Sequence, residues 1–167
     1  MVNEPRPLQP KKTSQSAPAI VIADDESHIR LVVGETFRAR GFTVIEARDG
    51  EEALELVRNH LPDMVVTDLQ MPYMNGVELC TQIAADPRTA HIPALLLTAR
   101  GHIIDPAQMS KTVIRKTMAK PFSAKTLFEN VQAIVNAARE TDNTVGAISP
   151  NTAQHRNYRR PLTGEAA

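Results

Sequence analysis

Three acids and a lysine stand where they can share chemistry. Asp68 closes the apolar run Met64-Val65-Val66-Thr67 and is followed by Leu69, Gln70, Met71 and Pro72, then Asn75-Gly76. Asp24 and Asp25 close a second apolar run, Ala19-Ile20-Val21-Ile22-Ala23. Lys120 precedes Pro121-Phe122, and Thr98-Ala99 ends the run Ala94-Leu95-Leu96-Leu97. Carboxylates brought close together repel, so at least one has a raised pKa unless a proton or cation intervenes. A magnesium ion resolves the conflict, because it takes oxygens in octahedral geometry and keeps several waters. Asp25 and Asp68 would supply oxygens directly, Asp24 through water, and Gln70 its backbone carbonyl. With a phosphoryl oxygen completing the shell, Asp68 becomes a candidate nucleophile forming an acyl phosphate. The Thr98 hydroxyl would hydrogen-bond a phosphoryl oxygen, and Lys120 would pair with one as a point charge.

These residues can meet only if the elements carrying them lie side by side. Ile20–Ala23, Phe42–Glu46, Met64–Thr67, Ala94–Thr98 and a weak Thr117–Ala119 read as strands. Between them run amphipathic stretches. Ser27–Arg40 carries Ile29, Val32, Val33 and Phe37 on one face and ends at Gly41. Gly50–His60 turns Ala53, Leu54 and Val57 inward, and Val77–Ala84 forms a third helix. Asp105-Pro106 is an N-cap with proline at the first helical position. Ser123 caps a last helix to about Ala138, with Leu127, Val131, Ile134 and Val135 apolar. Five strands alternating with five helices imply a parallel α/β sheet covered on both faces. Such sheets bind ligands at the carboxyl ends of their strands. Asp24, Asp25, Asp68, Thr98 and Lys120 all fall at such ends.

Composition bounds the rest. The 167 residues suit one domain with extensions, and 42% apolar content supplies a core. Net charge is +0, which argues against whole-chain attraction to nucleic acid. Residues 1–18 are proline-rich and polar, and are expected to be disordered. Residues 19–140 form the domain, and 141–167 are expected to be a mostly disordered tail carrying Arg156, Tyr158, Arg159 and Arg160. No DNA-binding output domain is expected there. The first residues lack an apolar signal segment and no run is long enough to cross a bilayer, so no membrane contact is expected. The single cysteine, Cys80, excludes an internal disulfide framework and fits a cytoplasmic protein.

In combination, Asp24-Asp25, Asp68 with Met71-Pro72 and Asn75-Gly76, Thr98-Ala99 and Lys120-Pro121-Phe122 resemble the receiver domain of two-component response regulators, over about residues 19–139. The resemblance implies a flavodoxin-like (βα)5 fold with strand order 2-1-3-4-5. It implies a stand-alone signalling switch rather than an enzyme with a separate substrate. Asp68 would accept a phosphoryl group from a histidine kinase or phosphotransfer protein, with Mg2+ at the Asp24-Asp25 pair, and the output would pass to an unknown downstream protein. It also implies a cis Lys120-Pro121 peptide. The chain departs from the pattern at Thr117, where the family often has tyrosine or phenylalanine. Output is then through a different surface, or through a weak switch.

Blander roles exist for each residue. Asp24 and Asp68 suit turns or helix caps, Thr98 a strand, Lys120 a solvated surface, and Asn75-Gly76 a simple turn. Arg100, His102, Lys111, Arg115 and Lys116 form either a solvated face or a basic patch for an acidic partner. A phosphate-independent binding module is the main alternative. An aspartate-nucleophile phosphatase is disfavoured, since Gln70 stands where a second aspartate would be the general acid.

Overall fold

The structure, a computed structural model, describes residues 16–99 and 102–146. Residues 1–15 and 147–167 lie outside it, and with them most of the N-terminal extension, the tail and its basic residues. Arg100 lies outside as well.

The apolar runs are strands: β1 (Ala19–Ala23), β2 (Thr43–Ala47), β3 (Met64–Asp68), β4 (Ala94–Thr98) and β5 (Ile114–Ala119). The periodic stretches are helices: α1 (Ser27–Arg38), α2 (Gly50–His60), α3 (Gly76–Ala85), α4 (Pro106–Met109) and α5 (Ala124–Gly146). All pairings are parallel, in the order β2-β1-β3-β4-β5. This is the flavodoxin-like order expected.

The two faces follow from strand alternation. Ile20, Ile22, Met64, Val66, Leu95 and Leu97 point to one side and pack on Val33 and Phe37 of α1 and on Leu127, Val131 and Val135 of α5. Val21, Ala23, Val65, Ala94 and Leu96 point to the other, against Ala53, Leu54 and Val57 of α2 and Leu79, Cys80 and Ile83 of α3. The three inner strands are therefore apolar on both faces, as a doubly covered parallel sheet requires. Only their C-terminal ends carry polar residues.

Some elements differ from expectation. Helix α1 stops at Arg38, and Gly41 takes a positive φ of 84° that reverses the chain. Val32 is not a core residue; it is 58% exposed. Strand β2 starts at Thr43, while Phe42 packs its ring edge-on to Phe37. Strand β5 begins at Ile114, three residues early, because an edge strand keeps one flank in water and tolerates Arg115 and Lys116. Helix α5 runs past Ala138 to Gly146, so residues 141–146 are helical rather than tail. No proline or glycine interrupts residues 124–145, and the Thr141 hydroxyl donates back to the Ala137 and Ala138 carbonyls.

Candidate functional site

Register puts the polar strand ends together. Asp68 pairs with Leu97 across β3–β4, and Thr98 pairs with Ala119 across β4–β5. Asp24 and Asp25 follow β1, which lies against β3 on its other side. Lys120 follows β5, and its N–H donates to the Thr98 carbonyl at 2.7 Å. The peptide between Lys120 and Pro121 is cis, as the resemblance implied.

The side chains converge. One carboxylate oxygen each from Asp24, Asp25 and Asp68 lies within 4.8 Å of the other two. Lys120 Nζ sits 2.9 Å from Asp68 Oδ1 and 3.0 Å from Asp24 Oδ2, with Glu26 Oε1 at 3.8 Å. Asp24 and Asp68 are buried, at 1% and 7% exposure, whereas Asp25 is exposed. Thr98 is also buried, and its hydroxyl makes no hydrogen bond among the described residues. It is therefore available to a ligand.

Burial pushes the Asp68 carboxyl above its ordinary range; Lys120 opposes this and the Asp24 charge adds to it. Burial also works against the Lys120 ammonium, but its contacts to Asp68 and Asp24 outweigh that and raise its affinity for the proton. One lysine thus serves two buried acids, and negative charge remains in excess. Oxygen donors in such excess fit a hard divalent cation of the magnesium class.

Backbone geometry fixes these groups. Asp68 Oδ2 accepts from Gln70 N–H at 3.0 Å. Asp24 Oδ1 accepts from Glu26 N–H at 2.9 Å, and Asp24 N–H donates to the Ala47 carbonyl at 3.2 Å. Asn75-Gly76 is more than a turn. Asn75 caps α3, accepting from Val77 and Glu78 N–H while Glu78 accepts from Asn75 N–H. Gly76 sits against the Asp68 backbone, where a Cβ would collide with the Asp68 carbonyl and with Leu96. The loop after Asp68 is thus pinned from below. An open depression of about 720 Å³ lies beside the site, lined by Asp25, Leu69, Gln70, Met71, His102 and Ile103 among others. Gln70 therefore lines the mouth of the site.

Two nearby charged residues gave no signal in the sequence. Arg30 Nη1 donates to the Asp24 carbonyl at 2.6 Å, and its Nε lies 3.9 Å from Glu46 Oε2. Nothing in their spacing reveals the contact; it follows from β1–β2 register, which sets Glu46 beside Ile22. Of the supposed basic patch, Lys116 reaches Asn130 on α5, while Lys111 and Arg115 stay exposed.

Residues 20–132 match the family profile described as the response regulator receiver domain. The chain belongs to that family. The receiver is 38% identical over 119 residues to the chemotaxis protein CheY of Pseudomonas aeruginosa, covering 69% of this chain and 94% of that protein. It is 31% identical over 147 residues to the phosphate regulon transcriptional regulatory protein PhoB of Rhizobium meliloti, covering 86% of this chain and 65% of that one. Among solved structures, the chemotaxis response regulator CheY4 of Vibrio cholerae superposes with a TM-score of 0.66 at 26% identity, covering 71% of this chain and 99% of that one. Some relatives are much longer: the receiver spans 44% of a ycf27 regulator of Guillardia theta and 8% of histidine kinase P4 of Formosa agariphila. Receivers are signalling domains of two-component systems rather than enzymes acting on a separate substrate. No helix among the described residues is long and apolar enough to cross a membrane.

Proposed function

We propose that this receiver accepts a phosphoryl group on Asp68 from a phosphohistidine of a histidine kinase or phosphotransfer protein, and relays the event through protein contacts. The observation that carries this is the convergence of Asp24, Asp25 and Asp68 within 4.8 Å, with Lys120 Nζ 2.9 Å from Asp68. A carboxylate oxygen of Asp68 attacks phosphorus. The P–O bond forms as the P–N bond breaks, and the imidazole leaves with the electron pair. Asp24, Asp25, Asp68 and the Gln70 backbone carbonyl are the groups that would hold magnesium, which when bound neutralises charge on the phosphoryl oxygens. Lys120 then loses the Asp68 charge as a partner and pairs with a phosphoryl oxygen instead. The Thr98 hydroxyl, without a partner among the described residues, supplies a second contact. A hundredfold shift toward the signalling conformation needs about 2.7 kcal/mol from such contacts.

The donor must seat beside Lys120. An apolar groove of about 490 Å³ lies there, between α1 and the turn after β5, lined by Ile29, Val32, Val33, Pro121 and Phe122. It suits the apolar face of a donor helix.

Acetyl phosphate with magnesium tests the assignment. The wild type gains one acid-labile phosphoryl group by intact mass, and a chelator or Asp68→Ala abolishes the gain. Equal labelling of Asp68→Ala rejects Asp68 as the acceptor. A phosphate-independent binding module is favoured by one observation, the exposed Thr117 on edge strand β5. Equal partner affinity with and without beryllofluoride would support it.

A further inference from the structure

Asp25 is the least anchored acid of the site. Asp24 is buried and held through its N–H, both carboxylate oxygens and its carbonyl. Asp25 is exposed, and its place depends on the peptide joining it to Asp24. The oxygen of that peptide is the Asp24 carbonyl, and Arg30 donates to it at 2.6 Å. A guanidinium hydrogen bond to a carbonyl is charge-assisted and directional. Arg30 is itself oriented: its side chain is 17% exposed, and Glu46 Oε2 faces its Nε at 3.9 Å. Glu46 is in turn held by Arg38, whose Nη2 lies 2.6 Å from Glu46 Oε1. A chain of charges therefore runs from the surface of α1, through β2, to the peptide between two of the acids.

We infer that Arg30 is a positioning residue for the divalent-cation site, fixing the Asp24–Asp25 peptide so that the Asp25 carboxylate faces Asp68. The inference rests on the proposed function, because it presumes that the acids hold a cation. Arg30 touches neither the phosphoryl group nor the cation. Its effect has a sign that separates it from a plain charge. A cationic side chain beside acids repels an incoming divalent cation, so removing it as a charge tightens binding. Removing it as an orienting group loosens binding, because groups that orient metal ligands are worth about 10- to 100-fold in metal affinity.

The test is calorimetric titration of the metal-free full chain with MgCl2, comparing wild type, Arg30→Met and Arg30→Lys. Methionine keeps much of the apolar stem, whereas lysine keeps one donor for the carbonyl. Wild type binds; Arg30→Met binds about tenfold more weakly or worse; Arg30→Lys recovers most of the loss. Arg30→Met binding as tightly as wild type, or more tightly, overturns the inference and leaves the proposed function intact. Wild type that binds no magnesium overturns the proposed function and the inference with it. If Arg30→Met does not fold, Arg30→Ala takes its place on the same terms: binding about tenfold weaker than wild type supports the inference, and binding as tight as wild type or tighter overturns it.

Discussion

Lys120 occupies the space between Asp24 and Asp68, within 3.0 Å of both, and so competes with any cation for their oxygens. Lys120→Met is expected to bind magnesium at least about fivefold more tightly, since a unit charge at 4 Å is worth about 1 kcal/mol even in bulk water. On the proposed function the same variant should respond poorly to phosphorylation, because Lys120 is there the cationic partner of the phosphoryl oxygen. Magnesium titration and beryllofluoride-induced amide shifts in NMR check the two halves. Asp68 illustrates a cost of the proposed function. Burial raises its pKa, so the native protein holds the proton more tightly than the unfolded chain does. Stability from this group is fully present below the unfolded pKa and is lost as pH rises through the folded one. Asp68→Asn removes that penalty. In chelator at neutral pH it should unfold about 0.5–2 kcal/mol later than wild type, and the two should converge on acidification. Urea curves across pH measure this; a variant less stable at neutral pH would contradict it.

Among the elements, the five strands and their C-terminal polar residues were legible in the sequence, because inner strands buried on both faces are short unbroken apolar runs. The same logic missed the start of β5, where one flank faces water and Arg115 and Lys116 fit. It also missed the end of α5, since the apolar stripe fades while nothing breaks the helix. Asn75 with Glu78 was a readable capping pair, hidden behind the turn signal of Asn75-Gly76. The Arg30–Glu46 contact was not readable, because it depends on which residue of β2 lies beside β1. Asp63 belongs to the same class. It accepts from Ala19 N–H at 2.7 Å and from Arg139 at 3.3 Å, and so ties the start of β1 to α5. Asp63→Ala should cost about 1–3 kcal/mol by urea unfolding. Amide exchange should rise at Ala19 and near Arg139, and exchange unchanged there would show that the tie is unimportant.

For the whole molecule, the doubly covered sheet separates rigidity from chemistry. Two apolar layers hold the strands, and the site is assembled where they end. On the proposed function, partner choice belongs to surfaces around that edge. The exposed Val32 lies on the groove next to Lys120. Val32→Asp should slow phosphotransfer from a protein donor about tenfold or more and leave labelling by acetyl phosphate unchanged. That ratio corresponds to about 1.4 kcal/mol of lost docking energy. Equal slowing with both donors would place the defect in the site instead of the groove. An exposed Thr117 leaves the edge beyond β4 without an aromatic reporter, so the output surface is best sought by comparing amide exchange with and without beryllofluoride.

The proposed function requires that acids and an amine from three strand ends form one pocket in which Asp68 takes the phosphoryl group. Borohydride reduction after treatment with acetyl phosphate and magnesium reads this at the residue itself, because it converts an acyl phosphate to an alcohol where it formed. Peptide mapping should find homoserine at position 68 alone, and none when chelator is present. Homoserine at another aspartate, or none anywhere in protein that has gained a phosphoryl group, would rule out Asp68 as the acceptor.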